Sequence, residues 1–391
     1  MTRPRLYLLE PAPPGSEWAP FAGARPLAEL RAGAWRIRER WARLLGLEPV
    51  AVLSDATPDF ADADSIPVLP IGGVAGPAVI AASWFAPLGR GLALEQGTTR
   101  LTAGGRTVAW VVSGGETWAG RRDEGAAVPI EGMELRGSFD LVTALEELLG
   151  GDCAVSAAEG GEGVPAGSTV LGDPDLLAVR GAEVEPGVVF DLRKGAVVLE
   201  EGALIRSGAR LEGPLYVGPH SWILGGPVRH SAVGPHCRVH GEVTASVFLG
   251  YANKSHDGFV GHSVLGQWVN LGAGTITSNL KNTYGEVRLD LPDRRLGTGR
   301  MNLGTLFGDH SKTAIGTMLS TGTVVGTGAN VVGAPPVPRY LQPFAWATAG
   351  DQLLDQEGFL KIAGRVLPRR GVGLTPAITA SLRAVHQRLT R

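Results

Sequence analysis

The sequence predicts an α/β N-terminal domain, a left-handed parallel β-helix of hexapeptide repeats and a short helical C-terminal tail. Aliphatic residues recur at steps of six at Leu199, Ile205, Leu211, Val217 and Ile223. Glycine makes up 57 of the 391 residues, which is about twice its usual share. A period of six with an aliphatic lead residue is typical of a hexapeptide β-helix, and the glycine content fits the many turns of such a fold.

The spacing also predicts which residues stack. Three hexads form one triangular coil, so residues eighteen apart should lie above one another. Leu199 should therefore lie beneath Val217, and Ile205 beneath Ile223. Each coil leaves strand edges unpaired until the next coil covers them, and this requires several copies of the repeat. A β-sandwich of short strands is the alternative, but five residues in register at one spacing argue against it.

The period sets the predicted domain boundaries. It is absent from 279 to 303, a charged segment with Gly and Pro that we interpret as a long loop leaving the coil. The repeat then resumes, and the prolines from Pro335 onward should end the β-helix, which is predicted over 169–335. The remaining segment, 336–391, should be an extended stretch followed by helices at about 351–366 and 376–389.

Residues 1–150 are predicted to form the α/β domain. Short apolar runs at 6–9, 50–53, 78–82 and 107–113 indicate strands. A helix should begin at Pro26 and end at Gly46, and a second should follow Ser138 as its N-cap and end at Gly150. Residues 151–168 are rich in Gly, Ala and Ser without a period, which favours a linker.

Charge and composition exclude several classes of protein. The net charge of −2 gives no electrostatic basis for binding nucleic acid. Two cysteines, Cys153 and Cys237, cannot form a disulfide framework and suggest a reducing compartment. No apolar run reaches the roughly 20 residues of a membrane span, and the N-terminal apolar run is too short for a signal peptide. We therefore expect a cytoplasmic protein without a membrane segment.

The stretch 256–282, HDGFVGHSVLGQWVNLGAGTITSNLKN, carries the residues with the clearest chemical potential. His256 could act as a general base, since an imidazole can take up a proton near neutral pH. Backbone N–H groups in a glycine-rich turn, here 272–275, can stabilise a developing oxyanion. Lys254 or Lys281 could supply a basic group for a phosphate.

HDGFVG followed by VNLGAGTITSN resembles the acetyltransferase half of the bifunctional UDP-N-acetylglucosamine pyrophosphorylase/glucosamine-1-phosphate N-acetyltransferase family. The match is specific over about thirty residues, and FAGARPLAELRAGAWRIRERW near the N-terminus resembles a divergent sugar-nucleotidyltransferase group fused to such β-helices. The resemblance implies a transferase that moves an acetyl group from acetyl-CoA to an amino-sugar phosphate similar to glucosamine 1-phosphate. It also implies a homotrimer.

The resemblance assigns roles residue by residue. The family's general base falls on His256, its two asparagines on Asn270 and Asn279, and its tyrosine on Phe259, so one hydroxyl is missing. A lysine that binds sugar phosphate falls near Thr244. Four nearby basic residues could replace it, namely Lys254, Lys281, Lys312 and Arg229. The family's backbone donor for the oxyanion falls near Thr317, and the glycine-rich turn adds Gly272, Ala273 and Gly274 as candidates for binding acyl-CoA and the oxyanion.

The N-terminal domain departs further from the nucleotidyltransferase pattern. Nucleotidyl transfer needs a glycine-rich phosphate loop after the first strand and acidic ligands for Mg²⁺. The family has GxGTRM there, whereas this chain has EPAPPGSEW, and only Arg25 with Pro26 matches the motif. The acidic residues Asp55, Asp59, Asp62 and Asp64 lie in a loop-like run. A degenerate domain is expected, with Mg²⁺ involved only if the domain is active.

Other functions stay open. The chain could be a sugar-1-phosphate nucleotidyltransferase whose β-helix mainly serves assembly, or a non-catalytic nucleotide-sugar binding protein. A zinc site of the γ-carbonic-anhydrase type is disfavoured because His236 and His240, like His256 and His262, are not at a stacking distance and no carboxylates accompany them. No metal site is predicted.

Three features of the sequence favour the homotrimer. A triangular β-helix has flat faces that can pack around a threefold axis. The loop at 279–305 is long enough to reach a neighbouring subunit. Trp222 and Trp268 are large for the interior and are therefore predicted to point outward toward a partner.

Overall fold

The computed structural model describes residues 3–11, 13–333, 336–346 and 352–391. The predicted end of the β-helix at Pro335 and the tail position Asp351 lie outside these residues. Four α-helices are present in the described segments: α1 (Ile37–Leu45), α2 (Asp140–Ala158), α3 (Gln356–Val366) and α4 (Pro376–Leu389). Four short 3₁₀ segments are Ser16–Trp18, Leu27–Glu29, Pro174–Leu176 and Leu367–Arg370. No helix within the described ranges is both long and apolar enough to cross a bilayer.

The N-terminal region is built on a mixed seven-stranded sheet, which confirms an α/β domain. In spatial order its strands are Ala127–Pro129, Arg100–Ala103, Arg106–Val112, Ala78–Ala82, Arg5–Leu9, Pro49–Leu53 and Val68–Leu69. The strand Arg5–Leu9, fifth in this order, runs parallel to both of its neighbours. Small hairpins and paired segments complete the domain: Arg31–Ala32 with Trp35–Arg36, Val74–Ala75 with Thr117–Trp118, and Phe85–Pro87 with Gly132–Glu134.

Both predicted helices of this domain differ in their bounds. The first begins at Ile37 rather than Pro26, because a tight hairpin around Gly33, whose φ is 63°, separates the two positions. It ends at Gly46 as predicted, with φ 62° in the left-handed region. The second helix continues past Gly150 to Ala158 and so occupies much of the predicted linker.

Burial explains why α2 continues. Glycine costs a helix about 1 kcal/mol relative to alanine, but α2 buries Leu148, Leu149 and Cys153 against the β-helix. Ser138 does not cap the helix; its hydroxyl donates to the carbonyl of Ala19 at 2.5 Å. Tertiary packing therefore overrides the local stop signal.

The second half of the chain is a β-solenoid with three parallel sheets. The first sheet contains Thr169–Leu171, Val189–Asp191, Ala209–Glu212, Gly226–Arg229, Val243–Thr244 and Val260–Gly261. The second contains Leu177–Val179, Val197–Leu199, Leu215–Val217, Ala232–Val233, Val247–Phe248, Val264–Leu265, Leu306–Phe307, Val324–Val325 and Tyr340–Leu341. The third contains Glu183–Val184, Leu204–Ile205, Trp222–Ile223, Arg238–Val239 and Asn253–Lys254.

The last coils continue these faces. Asn270 bridges Asn253 to Lys312, and this link extends the third sheet to Lys312–Thr313, Asn330–Val331, Ala345–Trp346 and Gln352–Leu353. Above the first sheet, Ile276–Thr277 pairs with Met318–Leu319. The predicted β-helix of hexapeptide repeats is thus confirmed as a solenoid.

The predicted stacking pairs are observed, and coil length explains where the period fades. Leu199 pairs with Val217, and Ile205 pairs with Ile223. In the next two coils the stack runs from Val217 to Val233 and then to Phe248, steps of 16 and 15 residues instead of 18. Shorter corners keep the strands stacked but move the aliphatic residues off the period of six.

The second sheet is apolar on both faces because the N-terminal domain packs against its outer face. Inward residues such as Val197 and Val217 form the solenoid core, whereas outward residues such as Val198 and Val247 join the core of the N-terminal domain and α2. A parallel sheet covered on both sides is expected to be apolar throughout. The first and third sheets are therefore the faces left for polar chemistry.

Two predictions about the surface are wrong. The segment after Asn279 does not reach toward a neighbour but forms a hairpin, Arg288–Asp290 with Arg295–Gly297, on its own N-terminal domain. Arg294 pairs with Glu17 at 2.5 Å. Trp268 lies outside the solenoid core, as predicted, but the chain's own C-terminal helices cover it and leave it only 2% exposed. Trp222 is 39% exposed beneath Arg238.

Candidate functional site

The HDGF turn that carries His256 lies at one corner of the solenoid, directly beneath the glycine-rich turn 272–275. The amide of Gly274 donates to the carbonyl of Asp257 at 3.0 Å, and the amide of Thr277 donates to the carbonyl of Phe259 at 2.9 Å. One coil further, the amide of Gly316 donates to the carbonyl of Ala273 at 2.7 Å. The structure therefore brings the HDGF turn, the GAGT turn and the turn that ends at Thr317 into one column.

His256 is exposed at this corner, and Lys254 holds the turn from inside. The Lys254 ammonium donates to the carbonyls of His256 at 2.5 Å and His240 at 2.7 Å. Its side chain occupies an interior position and is 2% exposed, and burial lowers the pKa of Lys254 to about 8. Lys254 is thus directed at the backbone of the corner rather than at a substrate on the surface.

Most amides of the glycine-rich turn already have acceptors. Gly272 donates to the carbonyl and hydroxyl of Thr313, and the amide of Thr275 donates to the carbonyl of Gly272. Gly274 donates to the HDGF turn below it. Within the described residues, the Ala273 N–H makes no hydrogen bond and is the donor of this turn that can serve an oxyanion.

Arg229 brings a positive charge to the position where the family lysine is replaced by Thr244. Arg229 and Thr244 occupy successive coils in register on the first sheet, and the Arg229 Nε donates to the Thr244 hydroxyl at 2.8 Å. The guanidinium also pairs with Glu242 at 2.6 Å. The next residue in this column is Gly261. The Arg229 guanidinium therefore lies beside Thr244 from the coil below it, on the sheet that continues to Gly261.

Phe259 and Asn279 meet above Gly261. A Cβ at Gly261 would lie 2.4 Å from the Phe259 ring and 3.0 Å from the Asn279 amide nitrogen, so only glycine leaves room for both. The amide nitrogen of Asn279 is 2.7 Å from the Nδ1 atom of His262. His262 was not singled out as a functional residue from the sequence, because its role depends on a side chain 17 positions away.

His262 also links the site to the N-terminal domain. Its Nε2 atom is 3.9 Å from the Glu146 carboxylate on α2, and Glu146 pairs with Arg300 at 2.6 Å. Burial lowers the pKa of His262, and Arg300 acts in the same direction while Glu146 opposes it. The neutral imidazole can accept from Asn279 at Nδ1 and direct its remaining N–H toward Glu146.

The remaining predicted site residues, Asn270, Lys312 and Lys281, do not lie beside Phe259 and Asn279. Asn270 and Lys312 lie on the third sheet, on the opposite side of the corner from Asn279. The Asn253 side-chain amide donates to the Asn270 carbonyl oxygen at 3.0 Å. Lys281 donates to the carbonyl of Glu286 within the inserted hairpin segment. Asn270 and Asn279 thus flank the His256 corner from two different faces.

The N-terminal domain does not present its predicted nucleotide-binding group. Arg25 is buried and pairs with Asp62 and Asp309, both at 2.8 Å. Glu10, at the carboxyl end of the strand Arg5–Leu9, is buried, and burial raises its pKa to about 7. The crevice at this end of the sheet, where nucleotides bind in open α/β folds, is occupied by the chain itself.

The acidic run of this domain does not fit a Mg²⁺ site. Asp62 pairs with Arg25, Asp64 pairs with Arg36 at 2.7 Å, and Asp59 lies 3.8 Å from Arg388. These carboxylates are separately engaged and do not converge on a common point. Within the part of the chain that the structure describes, no three His, Cys, Asp or Glu side chains are grouped to hold a metal ion.

Two curated proteins are similar to the chain. A bifunctional sugar-1-phosphate nucleotidylyltransferase/acetyltransferase of Sulfurisphaera tokodaii is 34% identical over 158 residues, covering 37% of each chain. The bifunctional protein GlmU of Methanocaldococcus jannaschii is 29% identical over 184 residues, covering 44% of this chain and 42% of the relative. No protein-family model matches. The chain is therefore related, over less than half of its own length and of theirs, to bifunctional sugar-1-phosphate nucleotidyltransferase/acetyltransferases.

Proposed function

We propose that the solenoid transfers an acetyl group from acetyl-CoA to the amine of an amino-sugar phosphate at the His256 corner. The observation that supports this proposal is the stacking of the HDGF turn beneath the GAGT turn, since the exposed His256 and the free Ala273 N–H then belong to the same corner on successive coils. A base and an oxyanion donor on successive coils are the two elements that acyl transfer to an amine requires. The sugar would be of the glucosamine 1-phosphate type, in nucleotide-sugar synthesis.

The residues divide the reaction between them. The amine nitrogen attacks the thioester carbonyl, the new C–N bond forms, and the amine proton moves to His256. The Ala273 N–H stabilises the oxyanion until the C–S bond breaks, and the CoA thiolate then takes the proton from the His256 imidazolium and leaves as the thiol. Arg229 beside Thr244 supplies the charge for the sugar phosphate, and Asn279, held by His262, offers its carbonyl oxygen to the sugar.

Nucleotidyl transfer by the N-terminal domain is the weaker candidate. Arg25 is buried and forms ion pairs with Asp62 and Asp309, and the acidic residues of the domain do not converge on one point. The α2 residue Glu146 instead contacts His262 of the solenoid site. We infer that this domain acts as a structural partner of the solenoid. A homotrimer remains part of the proposal, with an exposed aliphatic patch beside the corner as its contact surface.

The decisive experiment measures CoA release from acetyl-CoA by the purified full-length chain, with glucosamine 1-phosphate as the acceptor. Thiol release that depends on both substrates is expected. Release of pyrophosphate from UTP and a sugar 1-phosphate, without any thiol release, would instead favour the nucleotidyltransferase. Absence of thiol release across a panel of amino-sugar phosphates would remove the acyltransferase proposal.

A further inference from the structure

A polar cavity separate from the His256 corner lies between the third sheet and the C-terminal tail. Its volume is about 270 Å³. Asn253, Asn270 and Lys312 form its floor on successive coils, and Arg369 and Arg370 after α3 form its lid. The residues that line the cavity therefore come from two distant parts of the chain, the solenoid and the C-terminal tail.

The cavity is cationic without a compensating acid. Lys312, Arg369 and Arg370 line it, and no carboxylate is among the lining residues. None of these three cations has an ion-pair partner within the described ranges. Arg238 pairs in register with Asn253 one coil below and adds a fourth cation, which donates to the carbonyls of His220 and Cys237 and has no ion-pair partner among the described residues. Like charges held together in this way are costly unless an anion joins them.

The hydrogen-bonding groups of the cavity are mainly donors. The Asn253 carbonyl oxygen already accepts from Ser255 at 2.6 Å and lies 3.4 Å from the Arg370 guanidinium. Asn270 uses its carbonyl oxygen to accept from Asn253, so its amide N–H groups remain. The Lys312 ammonium uses one of its three protons on the carbonyl of His310 at 2.8 Å. A ligand here must therefore supply several acceptors.

Two aromatic side chains in the walls of the cavity limit the shape of a ligand that can bind there. Tyr251 and Trp268 stack with their ring centroids 4.3 Å apart, and both line the cavity. Burial lowers the pKa of Lys312 to about 8, because the ammonium is held away from water, and no carboxylate is among the residues that line the cavity. A compact, multiply charged oxyanion matches three convergent cations better than a single carboxylate does.

We propose that this cavity binds the phosphate group of a phosphate ester or diphosphate, clamped between the third sheet and the tail. Two sources share this chemistry: the acyl donor and the sugar phosphate of the proposed reaction. The anion site itself does not depend on that reaction. Only its connection to acyl transfer, through the shared residue Asn270, rests on the proposed function.

The test is calorimetric titration of the full chain with inorganic pyrophosphate at low salt. Binding is expected to weaken roughly tenfold to a hundredfold in Arg370→Gln and in Lys312→Met, because each removes a charge-assisted hydrogen bond. Arg365→Gln is the matched control, since Arg365 is an exposed arginine on the same tail that does not line the cavity. Two separate variants keep the test valid if one of them does not fold.

Further titrations identify whether the bound phosphate group belongs to the acyl donor or to the sugar phosphate. Desulfo-CoA and glucosamine 1-phosphate are compared in the parent chain and in Arg370→Gln, and the ligand whose affinity drops in the variant is the one clamped by the tail. His256→Asn should leave pyrophosphate binding unchanged, so loss of acyl transfer and loss of the anion site are distinguishable. Equal pyrophosphate binding by the parent chain, Arg370→Gln and Lys312→Met, or no binding by the parent chain, would overturn the proposal.

Discussion

The Arg25 Nε atom donates to the Asp309 carboxylate at 2.8 Å and thereby joins the N-terminal domain to the solenoid across 284 positions of sequence. Its Nη2 atom pairs with Asp62 at the same distance, and the arginine side chain is 3% exposed. Nearby, the Thr327 hydroxyl donates to the carbonyl of Pro20 at 3.1 Å. The motif position that suggested nucleotide binding therefore serves as a link between domains.

Arg25→Met should lower the free energy of unfolding by about 3–5 kcal/mol, because it leaves two carboxylates buried without their cation. Urea denaturation followed by circular dichroism measures the change. Arg106→Met is the control: Arg106 pairs with Glu134 at 2.5 Å, but the two side chains are 70% and 43% exposed, so its loss should cost at most about 1 kcal/mol. Equal losses in the two variants would contradict the assigned role of Arg25.

The solenoid could be predicted from the sequence because its register is local. Leu199 and Val217 stack since each coil repeats a six-residue pattern, and that pattern is visible in one sequence. The burial of Trp268 could not be predicted in this way. It depends on helices that begin about ninety residues later, at Gln356, and nothing near Trp268 signals their arrival.

In the candidate site, too, contacts between neighbouring repeats could be predicted from the sequence, whereas contacts between distant segments could not. The HDGF and GAGT motifs are close in sequence and lie on adjacent coils, so their meeting at one corner follows from the repeat. The role of His262 needs Asn279 from the coil above and Glu146 from another domain. The sequence predicts Lys254 as a basic group for the sugar phosphate, yet Lys254 occupies a core position where its ammonium donates to backbone carbonyls.

His256→Asn should reduce acetyl transfer by roughly 10²–10⁴-fold, because it removes the general base from an exposed turn. Stability should change little, since the side chain is exposed. His220→Asn is the matched control, an exposed histidine on the same solenoid whose left-handed φ of 58° suits asparagine. A His256→Asn enzyme with the parent kcat/KM would exclude the assigned base.

Asn279→Asp should raise the pKa of His262, because a carboxylate in place of the amide would favour the imidazolium. In the parent chain burial lowers this pKa, so His262 contributes stability above its unfolded pKa of about 6.5 that is lost as pH falls toward the folded pKa. Proton NMR of the imidazole reports both values. His230 is the internal control, since burial also lowers its pKa but Asn279 is not its partner. An unchanged His262 pKa would argue against the Asn279 contact.

The ratio of the parent chain's pyrophosphate affinity to that of Lys312→Met should fall between about pH 7 and about pH 9.5 as Lys312 loses its proton, because burial lowers the pKa of Lys312 to about 8. The guanidinium groups of Arg369 and Arg370 line the same cavity. Burial raises the pKa of Tyr251 to about 12 and lowers that of His310 well below 6.5, so neither of these two groups changes its charge over this range. Calorimetry at several pH values tests this. Lys312→Met should show a shallower dependence, and identical slopes would remove Lys312 from the site.

An exposed aliphatic patch beside the His256 corner is the surface on which we expect the trimer to form. Ile276 follows the GAGT turn and pairs in register with Met318. These two side chains are 41% and 65% exposed, and Ile315 is 80% exposed. Contiguous exposed aliphatic side chains next to a site are typical of a subunit contact. A partner placed there would close the open side of the corner and exclude water from the acyl group.

Light scattering at micromolar concentration should therefore give three times the 40.8 kDa of one chain. Met318→Lys should yield a folded monomer that loses acetyl transfer, because it places an unpaired charge in the contact and leaves the corner open. Val164→Lys is the control, since Val164 is 46% exposed in the segment before the solenoid and should not affect assembly. A parent chain that scatters as a single copy would remove the trimer and the shared site together. A monomeric Met318→Lys variant that keeps full activity would show that one chain completes the corner alone.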